Sequence, residues 1–356
     1  MTLRVAIIAD DLTGALDAAA PFAGRGMATV AATGADGLDA ALARRPDVLT
    51  VSTASREAAP EEAGRRCAAV AERVARAGPA ILFKKIDSRL KGHLEAEIGA
   101  VMTAFGQDRL LVAPGIPDLG RIVADGAVQG FGAAVPIPVA ERLGDLARRA
   151  AVPDTPDVAA MRALAAKVVL MDRRPLLVGA RGLADALAVE LTGRARTDAA
   201  FAPAFPALVA VGSTDPITRA QLDRLTDAAP DCALVAAPNG RAGSDVPDGQ
   251  GRLTVMATAP GALAEEPAVV AARFAALLAA HVHRHRPRLI VCSGGETAAA
   301  LAVRLGLAWL DVQGEAMPGL PLCAAEIDGK AATLVTKSGG FGDPDTLCRL
   351  LGLVRF

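Results

Sequence analysis

Two adjacent carboxylates, Asp10 and Asp11 in "IIADDLTGALDAA", follow the apolar run Val5 to Ala9 and precede a helix start at Thr13-Gly14. Ligands of open α/β sheets gather at the carboxyl ends of strands, so a carboxylate pair there can receive hydroxyls or accept a proton. A single aspartate in that place serves equally well as a helix cap; two in a row favour chemistry. A second cluster, "FKKIDSRLKGHLEAEIG", follows the run Ile81 to Lys84 and mixes Lys84, Lys85, Arg89 and Lys91 with Asp87 and Ser88. That composition suits an anionic ligand, and a solvated turn is the bland alternative. "VSTASREAAP" places Ser52, Thr53, Ser55 and Arg56 after another strand-like run, and "APGIPDLGRIVADG" places Arg121 and Asp125 after a fourth. Each alone is ordinary loop polarity. Together, four strand ends point to one small, polar, anionic molecule.

The second half offers backbone where the first offers charge. Gly212-Ser213 opens "GSTDPITRAQL", Ser293-Gly294-Gly295-Glu296-Thr297 follows an apolar run, and Lys337-Ser338-Gly339-Gly340 follows another. Glycines let N–H groups approach phosphate oxygens, and a helix N-terminus adds partial positive charge. Such turns hold a nucleotide without a P-loop, or simply punctuate strand and helix. Lys337 either reaches a phosphate or lies along the strand end; Glu296 either positions Mg²⁺ through water or caps its helix. In "HVHRHR", His281 and His285 share a helical face, but the Glu of a His-Glu-x-x-His zinc site is missing, which favours a solvated basic helix end.

Parallel strands must bring these groups together. Short β-branched runs at Val5 to Ala9, Val48 to Ser52, Ile81 to Lys84 and Leu110 to Ala113 alternate with helical patterns at Gly14 to Arg25, Pro60 to Ala77 and Lys91 to Phe105. A second series has strands at Ala207 to Val211, Ala233 to Ala236, Leu289 to Cys292 and Thr333 to Thr336, with helices at Ala264 to His281 and Thr297 to Leu305. The expected class is α/β, in two lobes, each a parallel or mixed sheet flanked by helices. "RARTDAAFAPAFP" sets the boundary near residue 200, giving domains 1–200 and 201–356, and the breaker-rich Ala237 to Arg252 is expected as a mobile loop.

The length of 356 residues agrees with two domains. A formal charge of -1, nine Phe, one Trp and no Tyr leave neither a basic field nor stacking platforms for nucleic acid. Five scattered cysteines without a Cys-x-x-Cys pair suit a reducing cytoplasmic compartment. The N-terminus lacks the pattern of a signal peptide or a membrane span, so no membrane partner is expected. Paired sheet edges or apolar helix faces would allow a homodimer.

The order of "ADDLTGALDAA", "SREA", "KKIDSRLKG", "PGIPDLGR", "GST", "GGETAAAL" and "TKSGGFG", from about Ile8 to Leu347, resembles the four-carbon acid sugar kinase family, formerly a domain of unknown function. The family includes threonate, erythronate and 3-oxo-tetronate kinases. The resemblance implies an N-terminal lobe for the sugar acid and a C-terminal lobe for ATP, with Mg²⁺, and transfer of the γ-phosphate to the terminal hydroxyl of a C4 acid. It implies Asp10, Asp11, Arg56, Lys84, Asp87, Ser88 and Arg121 at the acid, and Ser213, Gly294, Gly295, Glu296, Thr297, Gly339 and Gly340 at the nucleotide. Asp10 or Asp11 is then the proton acceptor, and Arg56, Lys84, Lys85, Arg89 and Arg121 supply the cations for the acid's carboxylate. Many relatives have Asn where this chain has His93 and Thr where it has Ile122, departures that bear on substrate identity more than on reaction type. The chain is also expected to be shorter than many relatives, trimmed between Val135 and Asp198. A sugar-acid sensor without turnover and a carboxylate-activating ligase are the competing readings.

Overall fold

The computed structural model describes residues 3–197, 201–242 and 251–354. Contacts divide the chain into two compact units, Met1–Thr197 and Asp198–Phe356.

The first unit opens with β1 (Val5–Ala9), α1 (Leu12–Ala23), β2 (Thr29–Ala32), α2 (Leu38–Ala43), β3 (Val48–Ser52), α3 (Pro60–Arg76), β4 (Ile81–Lys85), α4 (Leu94–Phe105) and β5 (Leu110–Ala113). It continues through β6 (Arg121–Ala124), β7 (Ala127–Gly130), β8 (Ala133–Pro138), α5 (Val139–Leu143), β9 (Ala150–Ala151), α6 (Val158–Val169), β10 (Leu176–Gly179) and α7 (Arg181–Thr192). Its main sheet has the order β2-β3-β1-β4-β10-β5-β9, parallel throughout. Strands covered on both faces read as unbroken apolar runs, and β1 and β3 are buried at every position. On α3, Pro60 starts the helix, Glu61 and Glu62 sit in its first turn and Arg73 and Arg76 in its last, each sign matching the helix dipole. That helix buries Ala63, Cys67, Val70, Ala71 and Val74, the stripe expected of a 3.6-residue period, and packs on α4.

Besides β2, β9 and helices α2, α5, α6 and α7, sequence reading misses two parts of this unit that shape its sheets. Strand β10 lies between β4 and β5 in the sheet although it follows both in the chain. The second part is the antiparallel sheet β6-β7-β8. Asp125, taken from the sequence as a strand-end polar group, is instead a hairpin residue: Asp125 and Gly126 join β6 to β7 with φ of 50° and 68°, the Asp-Gly signature of a two-residue turn.

The second unit holds β11 (Ala207–Val211), α8 (Pro216–Ala228), β12 (Ala233–Pro238), β13 (Leu253–Ala259), α9 (Pro267–His285), β14 (Leu289–Ser293), α10 (Gly295–Arg304), β15 (Trp309–Met317), β16 (Leu320–Ile327), β17 (Lys330–Lys337) and α11 (Thr346–Leu350). Its strands run β12-β13-β11-β14-β17-β16-β15, with β16 antiparallel to both neighbours, so the sheet is mixed. Strands β13, β15 and β16 are absent from the sequence reading. Part of the loop expected at Ala237 to Arg252 lies outside the described residues. No helix among the described residues is long and apolar enough to cross a membrane.

Candidate active site

In the first unit, Ala9 of β1 aligns with Ser52 of β3 and Lys85 of β4. Parallel strands end on one side, so Asp10, Thr53 and Ile86 leave the sheet side by side, and the loops that follow carry most of the polar residues named above. Asp10 is buried and receives both Nε and Nη2 of Arg56, at 2.8 and 2.9 Å, a bidentate pair. Arg56 also reaches Asp11 through Nη1. The other oxygen of Asp11 accepts from the Gly14 N–H at 2.5 Å and caps α1. Asp11 is therefore both helix cap and ion-pair partner.

This arrangement separates the two aspartates in proton affinity. Burial pushes Asp10 upward, but Lys84 and Arg56 together hold it below the usual carboxylate range. Burial and the charge of Asp10 lift Asp11 above that range, with Arg56 opposing.

Lys84 does not face a ligand space. Its side chain is 0% exposed, and Nζ lies 2.8 Å from Glu97 Oε2 and 3.0 Å from the Lys85 carbonyl. The Ser55 hydroxyl donates to Glu97 Oε1 at 2.5 Å, and Thr53 and Ser55 share a hydrogen bond of 2.7 Å. Lys85 is also buried, with Nζ 3.1 Å from the Ile86 carbonyl. A Cβ added at Gly14 would lie 3.3 Å from that ammonium, which places Lys85 over the first turn of α1.

Arg121 anchors the far side. It donates to Ser88 Oγ at 2.5 Å and to the Phe131 carbonyl at 2.7 Å. Burial and the charge of Arg89 lower its pKa, the mark of two guanidinium groups gathered with too little counter-charge. Asp87 shapes the turn, its Oδ1 accepting from the N–H groups of Arg89 at 2.9 Å and Lys91 at 3.4 Å. Arg89 and Lys91 are exposed, and half-buried His93 precedes α4 without capping it through its side chain. A Cβ on neighbouring Gly92, whose φ is +91°, would lie 3.3 Å from Asp10 Oδ2.

Three groups here escape sequence reading. Glu97 occupies a core position of α4 among Leu94, Ile98 and Val101, so a carboxylate at an apolar position of the helical period was the signal. Arg181, at the start of α7, pairs with Asp118 at 2.6 Å and lies 3.9 Å from Asp17. Burial raises the pKa of Asp17, with Lys85 and Arg181 opposing.

In the second unit, Val211, Ser293 and Lys337 end β11, β14 and β17 in register. The turns beyond them are joined: the Gly212 N–H donates to the Ser293 carbonyl at 3.0 Å, and the Gly294 N–H to the Lys337 carbonyl at 2.9 Å. Ser213, Gly294 and Gly339 thus gather at one end of the sheet. Gly294 has φ of 120° and begins α10 without a side-chain cap, so the first N–H groups of that helix stay open for an anion. Close packing demands the other glycines. A Cβ on Gly212 would strike Thr297 Oγ1, one on Gly339 would strike Ser213 Oγ, and one on Gly340 would come within 2.8 Å of Asp215 Oδ2. Ser293 is buried, its hydroxyl without a hydrogen-bond partner among the described residues, while Glu296 is exposed in the first turn of α10. Lys337 is fully buried, its Nζ turned toward backbone carbonyls of its own turn.

The "HVHRHR" segment is a helix end with His283, Arg284 and Arg286 exposed, as expected, but His281 departs from that reading. His281 is buried, its Nδ1 has no partner among the described residues, and its ring lies 4.5 Å from that of His285. Among the described residues there is no group of three or more His, Cys, Asp or Glu able to hold a metal ion.

Residues 5–137 match the family model described as a sugar-binding N-terminal domain, and residues 208–347 match the nucleotide-binding C-terminal domain. The chain is 33% identical to the D-threonate kinase of Bordetella bronchiseptica, over 99% of this chain and 97% of that one. That alignment spans 404 positions, so the relative carries segments that this chain lacks. A D-erythronate kinase of Heliobacterium modesticaldum is 40% identical over 126 residues, covering 35% of this chain and 28% of the relative. Among solved structures, Haemophilus influenzae protein HI1011 superposes with a TM-score of 0.68 at 20% identity, covering 98% of this chain and 99% of that one, a likeness of fold.

Proposed function

Because the chain belongs to the four-carbon acid sugar kinase family, we propose that it transfers the γ-phosphoryl group of ATP to the terminal hydroxyl of a four-carbon sugar acid of the threonate or erythronate type. The observation that carries the mechanism is Arg56 held between Asp10 and Asp11. Arg56 and Lys84 keep Asp10 ionised against its burial, while burial and the charge of Asp10 raise the proton affinity of Asp11 in spite of Arg56.

In this reading Asp11 is the general base. The substrate hydroxyl oxygen bonds to the γ-phosphorus, the bond to the β–γ bridging oxygen breaks, ADP leaves, and the hydroxyl proton passes to the Asp11 carboxylate. Asp10 stays anionic and holds Arg56 in place. Arg121, Arg89 and Lys85 attract the acid's carboxylate, Ser88 supports Arg121, and Asp87 shapes the turn between them. Lys84 acts through Asp10, since its own ammonium is buried against Glu97.

The open N-terminus of α10 and the turns at Ser213, Gly294, Gly295, Gly339 and Gly340 suit the triphosphate. Mg²⁺ is commonly held by phosphate oxygens, water and one or two carboxylates, where it neutralises charge on the transferring group. Glu296 and Asp215 border the turns and supply carboxylates of that kind.

The direct test is ADP release with Mg-ATP against D- and L-threonate, D-erythronate and 3-oxo-tetronate, with phosphorus NMR of the product. A phosphate monoester is expected. An acyl phosphate trapped by hydroxylamine would make the protein a carboxylate-activating enzyme; binding of acid and nucleotide without turnover would make it a sensor.

A further inference from the structure

Lys337 is the last residue of β17, and its side chain is 0% exposed. Its Nζ donates to the carbonyls of Ser338 at 2.9 Å, Gly339 at 2.8 Å and Phe341 at 3.2 Å. An ammonium has three N–H bonds, and here three acceptors take them all. No proton remains for a phosphate oxygen, so the lysine of this glycine turn cannot serve as a P-loop lysine does while that geometry holds.

What the contacts do instead follows from peptide geometry. In a trans peptide the carbonyl of one residue and the N–H of the next point in opposite directions. Drawing the carbonyls of Ser338, Gly339 and Phe341 inward therefore turns the N–H groups of Gly339, Gly340 and Gly342 away from Nζ. Among the described residues these three N–H groups donate to nothing. Thr218 Oγ1 adds a second donor to the Gly339 carbonyl at 2.5 Å, and Gln221 Nε2 a second to that of Phe341 at 3.0 Å. Successive outward N–H groups on a glycine turn form an anion-binding nest.

We infer that Lys337 is a positioning residue: with Thr218 it holds the carbonyls of the Ser338 to Phe341 turn inward, so that the turn presents its N–H groups to the phosphates of the nucleotide. The inference rests on the nucleotide reading above. Burial lowers the pKa of this lysine to about 8, against the charge of Asp215. The ammonium therefore has little solvent to compete with the carbonyls it holds.

The test compares Lys337→Met and Thr218→Val with wild type by calorimetric titration of adenosine, ADP and ATP, and by separate KM values for ATP and the sugar acid. ADP and ATP should weaken by about tenfold in Lys337→Met, the weight of one charge-assisted hydrogen bond, and by about fivefold in Thr218→Val, the weight of a neutral one. Adenosine affinity and the KM for the acid should stay within about twofold. Equal weakening of adenosine would reduce Lys337 to general support of the fold. A loss in Lys337→Met with none in Thr218→Val would make Lys337 a direct phosphate ligand instead. Unchanged ADP and ATP binding in Lys337→Met also overturns the inference, and if that variant does not fold, Thr218→Val decides alone. Wild type that binds no nucleotide would remove the parent reading, a failure distinct from these.

Discussion

Lys84 and Glu97 form an ion pair of 2.8 Å in which the two side chains are 0% and 3% exposed. A pair so buried is weak support for stability, because desolvating both charges offsets most of their attraction. Its position supplies another reason for its presence. Lys84 lies at the end of β4, and its charge joins that of Arg56 in holding Asp10 ionised. Glu97 keeps that buried lysine charged and fixed.

Breaking the pair from one side should therefore be costly. Glu97→Gln leaves a buried ammonium without its counter-charge, and a loss of roughly 3–5 kcal/mol in urea unfolding is expected. Lys84→Met combined with Glu97→Gln should recover much of that stability while activity stays low, since Asp10 loses the field that Lys84 provides. Full activity in the double variant would show that the pair only fills the core.

The split between Asp10 and Asp11 predicts a pH profile. Asp11 works as a base only when deprotonated, and its pKa is raised by burial and by Asp10. The acid limb of kcat/KM should accordingly lie above the usual carboxylate range. Asp11→Asn should lower kcat by about 10²- to 10⁴-fold. Arg56→Met removes a charge that opposes the rise, so its acid limb should move to higher pH. A limb that does not move would detach Asp11 from the profile.

Much of this site was legible because a parallel sheet writes its active edge into the sequence. Each apolar run at β1, β3 and β4 is followed directly by the polar residues that its end displays, hence Asp10, Arg56 and Lys85. The partner of each was not legible. Arg56 is 46 residues from Asp10, and nothing local tells whether a guanidinium meets a carboxylate of the protein or one of a ligand. Glu97 could have been found from its place in the helical period of α4, whereas β10 could not be placed: a four-residue strand that enters the sheet out of chain order leaves only a short apolar run. In the second unit the glycines were visible as punctuation, but their need for space depends on Thr297 and Ser213, brought close only by the register of β11, β14 and β17.

That packing gives a further prediction. Gly212→Ala places a methyl group against Thr297 Oγ1 and should cost about 1–3 kcal/mol, the usual range for overpacking. Weaker nucleotide binding is expected with it, because Thr297 lies in the first turn of α10. Gly212→Ala combined with Thr297→Ala should regain stability in a thermal melt. Failure of the second change to help would place the strain elsewhere in the turn.

His281 predicts how stability responds to acid. Burial and the charge of His285 lower its pKa from 6.5 to about 4. The unfolded chain thus takes up a proton near 6.5 that the folded chain refuses until about 4. The stability from keeping this histidine neutral is full above the first value and is lost as pH falls toward the second. At pH 5 the loss is at most about 2 kcal/mol, at 1.36 kcal/mol for each pH unit crossed. His281→Phe cannot take up that proton and also removes the unpartnered Nδ1. Between pH 7.5 and pH 5 the variant should lose less stability than wild type by up to about 2 kcal/mol in urea titrations. Every other titrating group is common to both proteins, so the difference isolates His281, and parallel slopes would mean that His281 accepts its proton in the folded chain as readily as in the unfolded one.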